Sequence, residues 1–246
     1  MKNSTRWYSG RVGHEMGVVR WGHWGRPVLL FPTAGGDAEE VERMGLIGAI
    51  WPMIEAGRIK AYSCDSIAGC ALAAGWGSVE HRCWLVNGFE EFVANEVVPL
   101  IRADSGGQEI PIVAAGASIG AFNAVAVACR YPWLFGAAIG MSGSYDLENL
   151  MQFRGTVDLY FASPLLFLPG LDGPALARLR QNFILLAYGE GRWENPGEAW
   201  RMADLLGAKG VPNRVDVWGR EWDHDWPTWR QMLPVYLREL VAGETQ

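Results

Sequence analysis

Residues 110–129 read IPIVAAGASIGAFNAVAVAC, and this stretch decides the fold class. Its first six residues, 110–115, are an unbroken apolar run of the kind found in central strands of parallel sheets. Its last nine, 121–129, are rich in alanine and predict a helix that can pack closely on such a sheet. Between them, residues 116–120 (GASIG) match GxSxG, the sharp strand-to-helix turn that exposes a serine hydroxyl above the sheet. The stretch therefore predicts Ser118 as a nucleophile.

The rest of the chain alternates short β-like runs with helical stretches, which predicts an α/β fold with a mostly parallel sheet and helices on both faces. The first two strands are expected to form an antiparallel hairpin at the start of the chain. The predicted strands span residues 6–9, 17–21, 27–31, 59–63, 110–115, 136–141, 183–188 and 214–218. The predicted helices span residues 37–55, 89–102, 121–129, 147–151, 196–206 and 227–241.

The length and composition fit one domain over residues 1–246, since half of the residues are apolar and a single α/β core commonly reaches this size. Residues 151–180 contain three prolines, at positions 164, 169 and 174. This stretch is too irregular for a simple crossover helix. We therefore predict a small irregular cap or lid inserted within the domain.

The net charge and the cysteine content limit which classes of binding partner and which cellular compartment are expected. A net charge of −6 gives no basic field, so neither nucleic acid nor an anionic membrane is an expected partner. The first residues hold no apolar run long enough for a signal peptide, and no segment approaches the ~18 apolar residues of a membrane span. The four cysteines show no CxxC pairing, which favours reduced thiols. We expect a soluble cytoplasmic protein. The sequence leaves open whether it forms a homo-oligomer.

An oxyanion hole is expected beside Ser118, because the turn points the backbone N–H of Ile119 toward a substrate carbonyl. The second donor should lie in the loop after the strand at 27–31, where the sequence continues FPTAGG. Its two glycines allow the backbone to approach a ligand closely. Ala34 is the preferred donor and Gly35 the second choice. The alternative is that the glycines only make a flexible turn before a helix.

The general base is constrained by chain order, because hydrolases with this turn present the nucleophile, then the acid, then the histidine. Of four histidines only His224 follows Ser118, and it lies in a loop between the last predicted strand and the last predicted helix. Loops at that place commonly carry functional residues. The alternative is a surface histidine that caps the helix.

Three carboxylates that follow Ser118 are candidates for the acid that orients the histidine. The expected loop, after the strand at 183–188, offers Glu194 and Glu190. We prefer Glu194, because its distance from the strand end lets the loop fold back toward His224. Asp146 is the third candidate, although an aspartate there could equally cap the helix at 147–151.

Tryptophan is unusually frequent, with 13 in the chain. Three of these residues lie close to the predicted acid and base: Trp193, Trp222 and Trp226. Tryptophan more often serves in packing than in ligand contact, so these three residues are only a weak indication of an apolar or aromatic acyl site. We include all three, together with Gly35, as candidate substrate-binding residues.

The chain resembles the putative-esterase family of α/β-hydrolases, which includes esterase D (S-formylglutathione hydrolase), feruloyl esterases and mycolyltransferases. Beyond GASIG, the resemblance rests on four segments and covers nearly the whole chain. The segments are PVLLFPTAGG (27–36), GFEEFVANEVVPLIR (88–102), GMSGSYDL (140–147) and WDHDWPTWRQMLPVYL (222–237). The family's acid often stands three residues after the glycine that ends its strand, as GxxD, whereas this chain has Arg192 there.

The resemblance implies the α/β-hydrolase fold and a serine esterase that cleaves a small-molecule carboxylic ester through an acyl-enzyme. An acyltransferase with the same triad, or a non-catalytic binding protein on this scaffold, are the alternatives. No cofactor is expected. No metal is expected either, because the histidines and cysteines show no spacing such as HExxH or CxxC.

Overall fold

The computed structural model describes residues 1–107 and 109–242; position 108 and positions 243–246 of the predicted domain lie outside the described residues. The described strands, in chain order, are β1 (Lys2–Ser9), β2 (His14–Trp21), β3 (Arg26–Phe31), β4 (Ile59–Cys64), β5 (Ile112–Ala117), β6 (Phe135–Met141), β7 (Phe183–Tyr188) and β8 (Asn213–Val217). They form one sheet in the order β1-β2-β4-β3-β5-β6-β7-β8.

The sheet is parallel from β4 to β8 and antiparallel only where β2 joins its two neighbours, β1 and β4. The predicted leading hairpin and the mostly parallel sheet are therefore confirmed. Because β3, β5, β6, β7 and β8 run in the same direction, the loops after all five leave the sheet at one edge. Ligands of open α/β sheets bind at that edge.

The helices cover both faces of the sheet, as predicted. In chain order they are α1 (Glu40–Arg43), α2 (Leu46–Glu55), α3 (Ile67–Ala74), α4 (Val79–Phe92), α5 (Val98–Asp104), α6 (Ile119–Arg130), α7 (Leu147–Met151), α8 (Val157–Ala162), α9 (Pro164–Phe167), α10 (Gly173–Leu179), α11 (Pro196–Ala208) and α12 (Trp226–Ala242). None of these described helices is both long enough and apolar enough to cross a membrane.

Two apolar clusters fill the space between the sheet and its helices, one on each face. Along β3 the side chains alternate between them, since Leu29 belongs to one cluster and Val28 and Leu30 belong to the other. Helices α4 and α6 contribute to the first cluster, whereas α2 and α12 contribute to the second. Burial on both faces explains why β3 and β5 read as continuous apolar runs instead of alternating ones.

The single helix predicted over residues 37–55 is wrong. Two helices, α1 and α2, occupy this stretch, and the chain breaks between them at Gly45, whose φ is +79°. Residues other than glycine rarely adopt that conformation, so a regular helix cannot continue through it. The apolar spacing on either side of the break misled the prediction, since each half buries its own apolar side chains.

The helix predicted over residues 89–102 begins earlier than expected. Helix α4 starts at Val79, where the Ser78 hydroxyl accepts a hydrogen bond from the backbone N–H of His81 at 3.2 Å. A π-helical turn, Val93–Val97, connects α4 to α5, so the helical path continues to Asp104. The serine cap was the signal that the prediction missed.

Residues 151–180, predicted as a cap or lid, contain three short α-helices, α8 to α10, and a 3₁₀ turn, Leu168–Gly170. Asp158 in α8 accepts a hydrogen bond from the Asn87 side chain of α4 at 2.7 Å. The ring of Phe161, also in α8, lies 5.8 Å from the guanidinium carbon of Arg130 at the end of α6. This part of the segment is thus attached to helices α4 and α6, and a lid role for the segment stays a prediction.

Candidate active site

Ser118 lies between the end of β5 and the start of α6, in a turn made of residues 116–120, which we call the nucleophile turn. Its φ of 56° and ψ of −123° are rare for a residue other than glycine. The backbone N–H of Ser118 donates to the carbonyl of Met141, at the end of neighbouring β6, at 2.9 Å. The half-buried serine is therefore held at the carboxyl edge of the sheet.

The two glycines of the nucleophile turn are required by close backbone contacts. A Cβ atom on Gly116 would lie 2.3 Å from the carbonyl oxygen of Gly120. A Cβ atom on Gly120 would lie 2.3 Å from the carbonyl oxygen of Phe31 and 2.6 Å from that of Pro32. The turn thus packs backbone against backbone, and no side chain fits in either place.

The predicted oxyanion donors, Ala34 and Ile119, follow adjacent parallel strands, because Phe31 of β3 is paired with Gly116 of β5. Neither backbone N–H donates a hydrogen bond to any of the residues that the structure describes. Ile119 is also the first residue of α6, where the helix dipole adds positive potential. Both amides thus lack a partner among the described residues, and their role as oxyanion donors stays a prediction.

The loop that carries Ala34 is tied down by Glu40 at the start of α1. Its carboxylate accepts from the backbone N–H of Thr33 at 2.7 Å and from the Thr33 hydroxyl at 2.9 Å. The next residues are tied to the segment between β4 and α3, since the carbonyl of Gly36 accepts from the backbone N–H of Ser66 at 3.2 Å. The loop is thus hydrogen-bonded on both sides of Ala34, and its role in an oxyanion hole stays a prediction.

Glu194 is the carboxylate that lies beside His224. Its side chain is only 2 % exposed, and Oε2 lies 3.8 Å from Nδ1 of His224. This distance is longer than a hydrogen bond but within the range of an ion pair. The other oxygen, Oε1, accepts from the Ser142 hydroxyl at 2.6 Å and from the backbone N–H of Gly189 at 3.2 Å. One carboxylate oxygen is thus anchored and the other faces the imidazole.

The two alternative acids lie elsewhere. The Glu190 side chain is exposed, and its backbone N–H donates to Gly219. Asp146 caps α7 through the backbone N–H of Asn149 at 3.0 Å and forms an ion pair with Arg201. The capping role that the sequence suggested for Asp146 is therefore observed.

His224 lies in the loop between β8 and α12, and its loop is joined to the loop that carries Glu194. The backbone N–H of His224 donates to the carbonyl of Arg192 at 3.0 Å. Asp223, next to the histidine, accepts from the backbone N–H and from Nε of Arg192, each at 2.7 Å. Hydrogen bonding to the Arg192 side chain lowers the pKa of the Asp223 carboxyl. Arg192, at the position where the resemblance expects an acid, thus fastens the two loops together.

Glycines let these two loops approach each other closely. A Cβ atom on Gly189 would lie 1.9 Å from the carbonyl oxygen of Trp222, and one on Gly191 would lie 2.3 Å from Oδ1 of Asp223. The backbone N–H of Gly191 donates to that same Trp222 carbonyl at 3.0 Å. The close contact brings the acid segment back onto the histidine segment.

Ser142 and Trp229 are site residues that the sequence analysis missed. Trp229, in the first turn of α12, donates from Nε1 to the Ser142 hydroxyl at 2.9 Å, and its ring lies edge-on to the His224 imidazole with centroids 5.2 Å apart. Ser142 stands in the GMSGSYDL segment, which was the available signal. We use the name acid–histidine junction for Ser142, Gly189, Glu194, His224 and Trp229.

The candidate substrate-binding residues differ in exposure. Trp193 is 79 % exposed, with its ring centroid 5.4 Å from the Arg192 guanidinium. Trp222 packs edge-on against Trp218 and Trp226 against Trp229, so these two serve largely in packing. Gly35 is exposed, with no atom within 4 Å of the place its Cβ would occupy. The described residues bring together no group of three or more potential metal-ligating side chains.

Comparison with known proteins gives a family and a fold. The model of the family described as Putative esterase matches residues 78–238, more than half of the chain. No curated protein sequence matches the chain.

Solved structures align over nearly its full length. A ferulic acid esterase is 16% identical with a TM-score of 0.75, over 98% of this chain and 97% of that one. S-formylglutathione hydrolase from Staphylococcus aureus is 15% identical with a TM-score of 0.67, over 98% and 96%. MPT51 of Mycobacterium tuberculosis is 16% identical with a TM-score of 0.69, over 97% and 98%. Identities this low show a shared fold, that of the α/β-hydrolases.

Proposed function

The chain belongs to the Putative esterase family and is an esterase that acts on carboxylic esters, and we propose that it works through an acyl-enzyme on Ser118. In this proposal His224 is the general base and Glu194 is the acid that orients it. The backbone N–H groups of Ile119 and Ala34 form the oxyanion hole. The substrate is a small-molecule ester.

The proposed reaction runs in two halves. Ser118 Oγ adds to the ester carbonyl carbon while its proton passes to Nε2 of His224, and the resulting oxyanion accepts hydrogen bonds from Ile119 and Ala34. The tetrahedral intermediate then breaks its bond to the alcohol oxygen, which takes the proton from His224. Water then adds to the carbonyl carbon of the acyl-enzyme while its proton passes to His224. The second tetrahedral intermediate breaks its bond to Ser118 Oγ, which takes that proton, and the acid is released.

One observation carries the proposal, namely the buried Glu194 carboxylate beside the imidazole of His224. Because Oε1 is occupied by Ser142 and Gly189, Oε2 is left to face Nδ1 of His224 at 3.8 Å. A carboxylate in this place selects the tautomer with a proton on Nδ1 and stabilises the imidazolium formed during the reaction. A scaffold used only for binding has no need of a buried carboxylate beside a histidine.

The deciding experiment is covalent labelling. A fluorophosphonate probe should attach to Ser118, identified by mass spectrometry, because only an activated hydroxyl reacts quickly. The protein should hydrolyse short-chain p-nitrophenyl esters, and Ser118→Ala should lower kcat by about 10³-fold or more. Ser4→Ala, at an exposed serine of β1, is the matched control and should keep full activity. Unchanged turnover in Ser118→Ala would show that another residue is the nucleophile. The absence of both labelling and turnover in the native protein would favour the non-catalytic alternative.

We also propose that the protein acts in the cytoplasm. All four cysteines are free thiols, three of them buried and Cys70 half-buried. Free thiols in this number are typical of proteins from reducing compartments. Exposed Trp193, next to Glu194 in the chain, is our candidate for contact with an apolar or aromatic acyl group. Comparing hydroxycinnamoyl, thio- and p-nitrophenyl esters on the native protein and on Trp193→Ala tests that contact.

A further inference from the structure

Ser142 is a buried serine held in an unusual backbone conformation directly after β6. Its exposed fraction is 4 % and its φ is +50°, which is rare for a residue other than glycine, asparagine or aspartate. Its backbone N–H donates to the carbonyl of Ala187 in β7 at 2.7 Å, so the conformation is imposed by the sheet edge. A strained conformation at a site edge calls for a reason beyond packing.

The Ser142 hydroxyl makes two hydrogen bonds whose directions are determined by chemistry. The indole Nε1–H of Trp229 can only donate, so at 2.9 Å Ser142 Oγ accepts from it. The hydroxyl proton of Ser142 is then directed to its second partner, Oε1 of Glu194, at 2.6 Å. The short chain Trp229 to Ser142 to Glu194 therefore runs in one direction and ends on the carboxylate.

Trp229 also touches the histidine on its other side. Its ring is 4 % exposed and meets the His224 imidazole edge-on, at an interplanar angle of 80°. The same indole thus limits the plane of the imidazole through its ring, and its N–H acts on the carboxylate through the hydrogen bond to Ser142. Glu194 and His224, which lie on different loops, share one support.

We infer that Ser142 and Trp229 are positioning residues, which hold the Glu194 carboxylate and the His224 imidazole in a single relative orientation. The inference rests on the proposed function of that pair. A shift of about 1 Å between such groups can lower a rate about 100-fold, so a support that prevents it affects kcat directly. Ser142 is only 4 % exposed, so we expect the ester not to contact it and KM to stay the same.

The test compares three variants with one matched control. Ser142→Ala removes the hydroxyl, whereas Ser142→Gly removes it and also suits the positive φ. Trp229→Phe keeps a ring beside His224 but removes the N–H donor. The control is Ser63→Ala in β4, since Ser63 is fully buried and its hydroxyl has no hydrogen-bond partner among the described residues.

With p-nitrophenyl acetate, both Ser142 variants should lose about 10- to 100-fold in kcat with KM within about twofold of the native value. Trp229→Phe should lose about tenfold, since Ser142 can still donate to Glu194. Ser63→Ala should keep the native kcat. The rate of Ser118 labelling by the fluorophosphonate should fall in parallel with kcat.

A kcat within twofold of native in folded Ser142→Gly, while Ser118→Ala is inactive, would overturn the inference and leave the proposed function standing. If native protein is neither labelled nor active, the proposed function itself fails. If both Ser142 variants fail to fold, Trp229→Phe decides: a lower kcat at constant KM supports the inference, and a native kcat overturns it.

Discussion

The nucleophile turn and the acid–histidine junction share one edge of the sheet, yet they are built in opposite ways. The turn consists of five consecutive residues, and the neighbouring backbone lies so close to Gly116 and Gly120 that a Cβ atom fits at neither position. The junction collects residues from the ends of β6 and β7 and from the segment after β8, joined by side-chain hydrogen bonds. Local close packing fixes which residue types the nucleophile turn can contain. In the junction, by contrast, a side chain can take its place from more than one position in the sequence.

The acid shows this freedom. The position three residues after Gly189 holds Arg192, which bonds to Asp223 instead of orienting the histidine. Glu194, two residues further on and with the longer side chain of a glutamate, lies beside the imidazole of His224. An acid can move along its loop if the loop length and side-chain length compensate, because only the final place of the carboxylate matters.

Backbone strain marks both regions. Among the described residues, four that are not glycine have a positive φ, and three of them lie in or beside the site: Ser118, Ser142 and Trp193. Each such residue costs on the order of 1–3 kcal/mol, so the surrounding structure must hold it in place. Ser118 is held by adjacent strands, and Ser142 is held by a strand and by two side-chain partners.

Apart from loss of the Ser118 hydroxyl itself, the largest effect is expected at the junction, from Glu194→Gln. The amide can hold the wrong imidazole tautomer and cannot stabilise the imidazolium, so kcat should fall about 10²- to 10⁴-fold. Circular dichroism and thermal unfolding should show an intact fold. Glu190→Gln, at an exposed glutamate of the same loop, is the control and should retain native kcat. A reversal of these two results would transfer the acid role to Glu190.

The next effect tests the rigidity of the nucleophile turn. In Gly120→Ala the new methyl group meets the carbonyl oxygens of Phe31 and Pro32, so the turn must move. We expect a loss of about 1–3 kcal/mol in the free energy of unfolding and about 100-fold in kcat.

The matched control for that change is Gly48→Ala inside α2, where a Cβ atom meets nothing within 4 Å. It should leave activity unchanged and stabilise the protein by up to about 1 kcal/mol. Chemical denaturation and steady-state kinetics measure both. If Gly120→Ala behaves like Gly48→Ala, the turn is more tolerant than its contacts indicate.

A smaller effect is expected where the two loops are fastened. Asp223→Asn keeps an acceptor for the backbone N–H of Arg192 but loses the ion pair, so kcat should fall by less than about tenfold. The lowered pKa of Asp223 means that its stabilising effect is present above the ordinary carboxyl range. It is lost as the pH falls through the lowered pKa.

The native protein and Asp223→Asn should therefore converge in melting temperature below about pH 4. Asp172→Asn, at an exposed aspartate before α10, is the control and should match the native protein throughout. A constant difference between native and Asp223→Asn down to pH 3 would contradict the ion-pair explanation.

The smallest effect on catalysis, and the clearest pH dependence, is expected away from both regions. Burial raises the pKa of Glu90 in α4 to about 8, although Arg130 lies 3.0 Å from it. Between the ordinary carboxyl pKa and pH 8 the folded protein therefore holds a proton that the unfolded chain has lost. Stability falls as the pH rises through this window, by at most about 1.4 kcal/mol per pH unit.

Glu90→Gln lacks this titration. Its melting temperature relative to that of the native protein should rise from pH 5 to pH 8, while kcat stays within twofold of native at each pH. Parallel curves for the two proteins would show that the Glu90 carboxyl keeps its ordinary pKa. Differential scanning calorimetry at three pH values is sufficient.

Local patterns account for the parts of the fold that the sequence predicted well. The strand at 183–188 and the helix at 147–151 were predicted with the observed bounds, and both are continuous apolar or capped segments. Where a single residue changed the path, the prediction failed, as at Gly45 between α1 and α2. Apolar spacing does not register a break when the apolar pattern continues beyond it.

The sequence by itself determined the nucleophile turn, because its glycines and Ser118 are consecutive and their contacts are local. The sequence also identified His224, because it is the only histidine that follows Ser118. Only the tertiary structure decided which carboxylate lies beside that histidine and which residues support it. The physical reason is that the approach of Glu194 depends on two loops folding together over Gly189, and on a serine and a tryptophan 87 residues apart in the chain.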